Sequence, residues 1–443
     1  MVTIVGTILT FAVVFGILVF LHEFGHFFMA KLVGIRVEVF SFGYGKRLFG
    51  VKKGQTDYRV SVIPMGGYVR FLGEGLFEKD RPIAPDDFAA KSRPARFGVM
   101  AMGSVMNILL AIVLLAIINM GGVNVPVYQE QVPVIGWIEA GSPAAAADLR
   151  AGDEILNING RPVRTWAEVE LAVGAKPERT LTIEVRRDGS VLPIPLRTEK
   201  RTRYEMGYAG FYGKVLAQVV IITPGSPAEK AGIKPGDVFV SIDGEPIYLY
   251  KFVATIERSP DREIAVGIER DGLPLTLRVT SRREGSVGKI GVSIDAQSVE
   301  REFGPLAALG ESFRENKRLA FLLVRFIRDL FTGEASTRHL GGPLEIANFS
   351  YAALQMGFMV FLRWVAFISL QLGIINLFPI PVFDGGQIFV ILIEGIFRRD
   401  LSPKLRQIWL QIGFVIFVAL IAFVILNDFV KKLPRGWGSL VPW

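Results

Sequence analysis

The chain has 443 residues, 51% of them hydrophobic, with 50 Lys and Arg against 42 Asp and Glu for a net charge of +8. A mean hydropathy of +0.40 is too high for a soluble globular protein and 21% charged residues is too many for a wholly membrane-buried one, so collagen-like, disordered and small disulfide-scaffold classes fall away. Zero Cys removes disulfides, thiolate metal ligands and a Cys nucleophile, and the basic balance has to be read against membrane spans before nucleic acid is considered.

Crossing a bilayer core takes roughly 20 apolar residues, and four stretches meet that length: 3–29, 98–120, 357–378 and 408–426. The first has no Lys or Arg before Lys31 and no small-residue cleavage site behind it, so it reads as a retained helix and not as a signal peptide. It carries Leu21-His22-Glu23-Phe24-Gly25-His26, an H-E-x-x-H pattern. Positions i and i+4 share a helix face, so His22 and His26 can grip one Zn²⁺ while Glu23 takes a proton from water as general base. A surface helix would make the pattern weak, but His and Glu inside hydrocarbon are costly unless paired and mark function.

Residues 31–97 hold 13 Lys or Arg, and Arg398, Arg399, Lys404 and Arg406 lie between the last two spans. Both connections therefore read as cytoplasmic, which places the two termini and residues 121–356 on the far side. Lys431, Lys432 and Arg435 in the far-side tail run against this rule. Within the first connection Tyr58 to Ile63 alternates polar and apolar, Pro64-Met65-Gly66-Gly67 turns, and Tyr68-Val69-Arg70-Phe71 returns. This predicts a membrane-associated β-hairpin whose open edge of N–H and C=O groups invites another strand.

The far-side segment repeats itself. Gly141-Ser142-Pro143-Ala144 recurs at Gly225-Ser226-Pro227-Ala228, Gly152-Asp153 at Gly236-Asp237, Asn159-Gly160 at Asp243-Gly244, and Arg187-Asp188-Gly189 at Arg270-Asp271-Gly272. With β-rich runs leading into Asp-Gly turns, these are two small β-rich domains in tandem, 127–213 and 214–296. The motif order resembles PDZ domains of the bacterial protease-associated kind, which take up extended peptides, commonly chain ends, by strand addition. Residues 297–356 then supply amphipathic juxtamembrane helices, with apolar residues at helical spacing among Arg314, Lys317, Arg318, Arg325 and Arg328. Gly438 to Pro442 resemble part of an engineered protease-cleavage linker.

A catalytic zinc needs a third protein ligand. The remaining His, His339, lies just before the third span; Asp384 follows Asn376-Leu377-Phe378-Pro379-Ile380-Pro381 at that span's end. Asp384 is the better candidate, because two prolines break the helix there and irregular backbone at membrane depth lines a polar cavity.

The H-E-x-x-H of the first span, the Asn-x-x-Pro-x-Pro-x-x-Asp-Gly segment and the tandem PDZ repeat together resemble the site-two protease family of intramembrane zinc metalloproteases, closely so its bacterial sigma-E-regulating branch. The likeness covers nearly the whole chain. Phe383 stands where the family usually has Leu, and Gly103-Ser104-Val105-Met106-Asn107 lacks the Pro of the family's Gly-Pro-x-x-Asn pattern. The resemblance implies a polytopic α-helical membrane protein with four transmembrane helices, a membrane-associated β-hairpin and two tandem extracytoplasmic PDZ domains. It implies Zn²⁺ on His22, His26 and Asp384, Glu23 as catalytic base, and substrate binding by Asn376 and by Gly66, Gly67, Tyr68 and Val69 of the hairpin. Its substrates would be single-span membrane proteins, an anti-sigma factor already trimmed on the far side and remnant signal peptides as a second class. The place would be a bacterial inner membrane with the PDZ pair in the periplasm, gating substrate size. The competing reading is a membrane PDZ scaffold with a vestigial metal site; intact Glu23 opposes it, since a site without catalysis needs no base. A zinc transporter would need polar residues on several spans, and 415–426 has none.

Overall fold

The computed structural model describes residues 2–73, 83–201, 206–333 and 340–430. Two compact units divide the chain, one of Met1–Gly121, Glu302–Ile327 and Leu340–Trp443, the other of Gly122–Arg301 and Arg328–His339.

In the first unit, helix α1 (Val2–Leu32) has no Pro and no charge before Glu23. Its end is set by Gly34 at a φ of +70°, with Ile35 N–H on the Ala30 carbonyl and Gly34 N–H on that of Lys31, the paired closure that a left-handed glycine permits. Strands β1 (Val37–Lys53) and β2 (Thr56–Phe71) follow, then helix α2 (Arg93–Met120), opened by Pro94 in its first turn. Glycines let the helices touch. A Cβ on Gly25 of α1 would run into the Met102 carbonyl of α2, and one on Gly103 into both imidazoles; small residues at such crossings bring backbones close enough for side chains to converge.

The strand order corrects the sequence expectation. Residues 58–63 and 68–71 are not neighbours across a turn at 64–67, because the first part of β1 lies between them: Phe40 pairs with Val69 on one side and with Tyr58 on the other. The reason is packing. Phe40 and Phe42 meet the α1 rings of Phe20 and Phe27, with Phe27 and Phe40 centroids 4.8 Å apart. The aromatic strand must therefore occupy the middle of the sheet over α1, which leaves 67–71 at an edge.

After the second unit's segment come α7 (Pro305–Phe331), α8 (Pro343–Met356), α9 (Phe358–Asn376), α10 (Asp384–Phe397) and α11 (Pro403–Val430). Among the described residues four helical stretches are long and apolar enough to cross a membrane: Ile4–Leu32, Arg93–Met120, Phe358–Asn376 and Lys404–Phe429. Helix α10 was not anticipated as an element. Its carboxyl end is clamped by Glu394, fully buried and paired with Arg96 of α2 at 3.4 Å and with Arg406 of α11. Its apolar face joins Ala30, Val37, Phe71, Val99 and Met100 through Ile388 and Ile391, so α1, α2, the sheet and α10 share one core.

In the second unit the same elements occur twice. Helices α3 (Pro143–Ala146) and α5 (Pro227–Lys230) open on Ser142 and Ser226, whose hydroxyls each accept an N–H three residues on at 3.3 Å. Helices α4 (Trp166–Gly174) and α6 (Leu249–Glu257) precede hairpins Thr180–Arg187 with Ser190–Arg197 and Glu263–Arg270 with Leu273–Thr280. The turns are Asp188-Gly189 and Asp271-Gly272, all four at positive φ, as two-residue hairpins require. The repeated Gly-Asp and Arg-Asp-Gly motifs turn out to be partners: Arg187 pairs with buried Asp153 and Arg270 with buried Asp237, each at 2.7 Å. Burial raises the Asp237 carboxyl, but hydrogen bonds from Arg270 and the Lys234 N–H outweigh it and hold the group below its usual range. Each half has its own core, centred on Ile135, Leu181 and Ile183 in one and on Phe239, Phe252 and Val266 in the other. Tyr212 joins them, stacked on Trp137 at 5.3 Å and tilted against Tyr250 at 4.3 Å. Burial and the Glu139 carboxylate that accepts its hydroxyl push Tyr212 up to about 12.

Candidate metal centre

One turn of α1 sets His22 and His26 on the same face, both 6% exposed. The third group arrives from α10. The α9 helix ends at Asn376, the chain turns through Pro379 and Pro381, and Asp384 starts α10. The turn closes only because glycines follow: a Cβ on Gly385 would meet the Leu377 and Phe378 carbonyls, and one on Gly386 the Ile380 carbonyl. Folded this tightly, Asp384 Oδ2 lies 2.9 Å from His22 Nε2 and 3.3 Å from His26 Nε2, and the two Nε2 atoms are 3.1 Å apart.

Among the described residues, His22, His26 and Asp384 form a group of three whose ligand atoms all lie within 4.8 Å of one another. Among the described residues Asp384 Oδ2 is buried with the two imidazole nitrogens as its polar neighbours, and with both rings neutral three lone pairs converge, an arrangement that a cation stabilises. Two imidazole nitrogens and one carboxylate oxygen are the donor set of a catalytic zinc with an open fourth position. Zinc fits these residues. His26 is steered from behind, its Nδ1–H donating to the Val99 carbonyl at 2.8 Å, the outer bond that fixes which nitrogen faces a metal.

Glu23 is half-buried and its Oε2 accepts the Val69 N–H at 3.0 Å. The edge strand expected to receive a partner thus faces the carboxylate expected to act as base. Gly67 comes to the same place, where an added Cβ would lie 3.7 Å from Glu23 Cγ. Gly66, at a φ of +110°, bends the strand there. Tyr68 points its side chain to the sheet, its ring stacked on Tyr44 at 6.1 Å and its hydroxyl accepting from Arg59. Asn376 brings its Nδ2 to 3.4 Å from His22 Nε2. Of the sequence-derived candidates, His22, Glu23, His26, Asn376, Asp384, Gly67 and Val69 are therefore assembled in one place, while Gly66 and Tyr68 shape the strand. His339 and the tail from residue 431 lie outside the described residues. Gly103 and Gly385, on which the convergence depends, entered the sequence reading only as members of motifs and not for packing; glycines inside or beside an apolar span were the signal available for that role.

The M50 peptidase family matches residues 10–420 of the chain. The regulator of sigma-E protease RseP of Escherichia coli is 32% identical over 450 residues, covering 95% of this chain and 97% of that protein. Protease RseP of Yersinia pestis is 30% identical over 453 residues, covering 97% and 99%. RSc1411 of Ralstonia nicotianae, carried under a zinc-metalloprotease name, is 33% identical over 462 residues, covering 95% and 98%. The PDZ domain of an SdrC-like protein from Listeria monocytogenes matches 19% of this chain at 14% identity and a TM-score of 0.17, too low to carry an argument about the fold. With His22 and His26 on a membrane-length helix, Asp384 brought to them, and relatives covered over nearly their whole length, the chain belongs to peptidase family M50 and is a multi-pass membrane zinc metalloendopeptidase.

Proposed function

We propose that the chain cleaves single-span membrane proteins within the bilayer, with His22, His26 and Asp384 as zinc ligands and Glu23 as general base. The observation that carries this reading is Glu23 on a helix of membrane length, between His22 and His26 of the same helix, with Asp384 converging on them from the start of α10. When bound, zinc supplies a Lewis acid and makes water a stronger acid. Glu23 takes the proton of the attacking water and hands it to the departing amide nitrogen, so the peptide bond breaks without a free anion in a dry site. Measuring cleavage of a single-span substrate in detergent, with wild type beside Glu23→Gln, tests the reading.

A substrate helix has its carbonyls bound internally and must unwind first. Support for strand addition comes from the edge at 67–71: an incoming strand takes the Val69 N–H and in doing so releases the Glu23 carboxylate, with Asn376 holding the backbone from the other side. Val69→Pro is expected to slow cleavage roughly 10- to 100-fold, the cost of an unpaired buried acceptor, while zinc content stays at wild-type level. Helix-breaking residues in the substrate should partly rescue it, because less unwinding is then needed; a rescue would not follow if the variant had merely misplaced Glu23. Wild-type turnover, or lost zinc, would make the strand structural only.

The relatives named regulators of sigma-E support an anti-sigma factor, trimmed beforehand on the far side, as substrate, with remnant signal peptides as the second class. The basic connections support a bacterial inner membrane location with 121–356 in the periplasm. The repeated halves, each with its own core, support tandem PDZ domains over 127–213 and 214–296, which gate substrates by size or dock peptide chain ends. Strands Val123–Pro126 and Ser298–Arg301 pair antiparallel, so the chain enters and leaves this region side by side. Deleting 127–295 with a short linker is therefore expected to leave catalysis intact and to admit a substrate with an untrimmed far-side domain. A deletion variant that cuts the trimmed substrate but still refuses the untrimmed one would place the gate elsewhere.

A further inference from the structure

Each zinc-facing imidazole has a second nitrogen, and the two are served differently. His26 Nδ1 meets a backbone carbonyl, that of Val99. His22 Nδ1 instead faces the side-chain amide of Asn107 on α2, whose Nδ2 lies 3.3 Å away. A histidine that gives Nε2 to a metal carries its proton on Nδ1 and has to donate it. With Nδ2 turned to the ring two donors meet, and Asn107 Oδ1, fully buried, has no hydrogen-bond partner among the described residues. One change cures both faults. Amide oxygen and nitrogen occupy nearly the same space, so a half-turn of the amide brings Oδ1 to the ring without moving anything else.

The structure assigns Asn107 as a positioning residue for the metal centre: its side-chain carbonyl accepts the Nδ1–H of His22 and thereby fixes the tautomer and plane of that ligand. The inference rests on His22 being a zinc ligand. Packing keeps the amide at its post. The Asn107 carbonyl on the main chain accepts the Ser369 hydroxyl of α9 at 2.8 Å, and α9 approaches so closely that a Cβ on Gly373 would sit 2.9 Å from the Ser104 carbonyl and 3.4 Å from Asn107 Cβ. The amide is thus held between two spans at the depth of the ligands and is fully buried, so an unsatisfied Oδ1 would be costly there.

The test is the zinc dissociation constant of the purified full-length protein, measured by chelator competition in detergent. Asn107→Leu, similar in volume but without an acceptor, is expected to bind zinc about 10- to 100-fold more weakly, the usual loss when an outer partner of a metal-bound histidine is removed. Asn107→Asp keeps an oxygen acceptor and is expected to hold zinc as wild type does, and Ser369→Ala, which loosens the same residue without touching the ring, is expected to leave the affinity unchanged. At saturating zinc, KM should not move. Wild-type zinc affinity in Asn107→Leu, or equal weakening in Asn107→Leu and Asn107→Asp, overturns the assignment; if Asn107→Leu fails to accumulate, Asn107→Ala is read against Asn107→Asp in the same way. His22→Ala separates the two levels of the argument. If it still binds zinc, the ligand reading itself is wrong; if it loses zinc while Asn107→Leu does not, only the role of Asn107 falls.

Discussion

Glu23→Gln is expected to lower turnover of a single-span substrate by at least about a hundredfold, at the weak end of general-base effects, with zinc content and fold unchanged. The amide has nearly the shape of the carboxylate but no basicity near neutral pH, so only proton transfer is lost. The structure adds a reason to expect no collapse: the Glu23 carboxylate accepts the Val69 N–H, and a glutamine oxygen accepts that bond equally well. None of the three ligand atoms belongs to Glu23, so zinc should be retained. Turnover above about a hundredth of wild type, measured by single-turnover cleavage in detergent beside elemental analysis, would remove Glu23 from the role of base.

Asp384→Ala is expected to deplete zinc more severely than loss of any outer partner, beyond the roughly 10- to 100-fold typical of those, because a ligand itself goes. Two imidazoles on one helical turn remain, and two ligands do not make a catalytic zinc site. His339→Ala is expected to keep zinc at the wild-type level. Elemental analysis of the purified variants decides between the carboxylate and the third histidine. Full occupancy in Asp384→Ala together with loss in His339→Ala would reverse the assignment. The structural ground for the expectation is the 2.9 Å and 3.3 Å approach of Asp384 Oδ2 to the two ring nitrogens, maintained by the Gly385-Gly386 turn on one side and the buried Glu394 clamp on the other.

Much of this was legible in the chain itself, and for a physical reason. Membrane spans are set by local runs of apolar residues, and all four stretches read from hydropathy correspond to observed helices, the first extended to Leu32 and the last begun at Pro403. The placing of His22 and His26 on one face depends on a spacing of four along one helix, which needs no tertiary information. The tandem repeat is likewise a property of the sequence, and its Asp-Gly turns and Ser-Pro helix starts are local devices whose backbone geometry the residues themselves demand. Asp384 could be nominated because prolines break a helix wherever they fall.

Tertiary structure alone decided the rest. The order of strands in the sheet follows from where Phe40 and Phe42 find Phe20 and Phe27, and alternation along 58–71 cannot register a strand supplied from residues 37–42. That Asp384 opens a helix, and that this helix is tied by Glu394 to Arg96 and Arg406, depends on contacts between separate elements that no local pattern specifies. So does the meeting of Glu23 with Val69 N–H and of His22 with Asn107. Local patterns specify which groups a segment offers, but hydrogen bonds between distant segments form only when close packing, here through Gly25 and Gly103, brings helices near enough for one side chain to reach another.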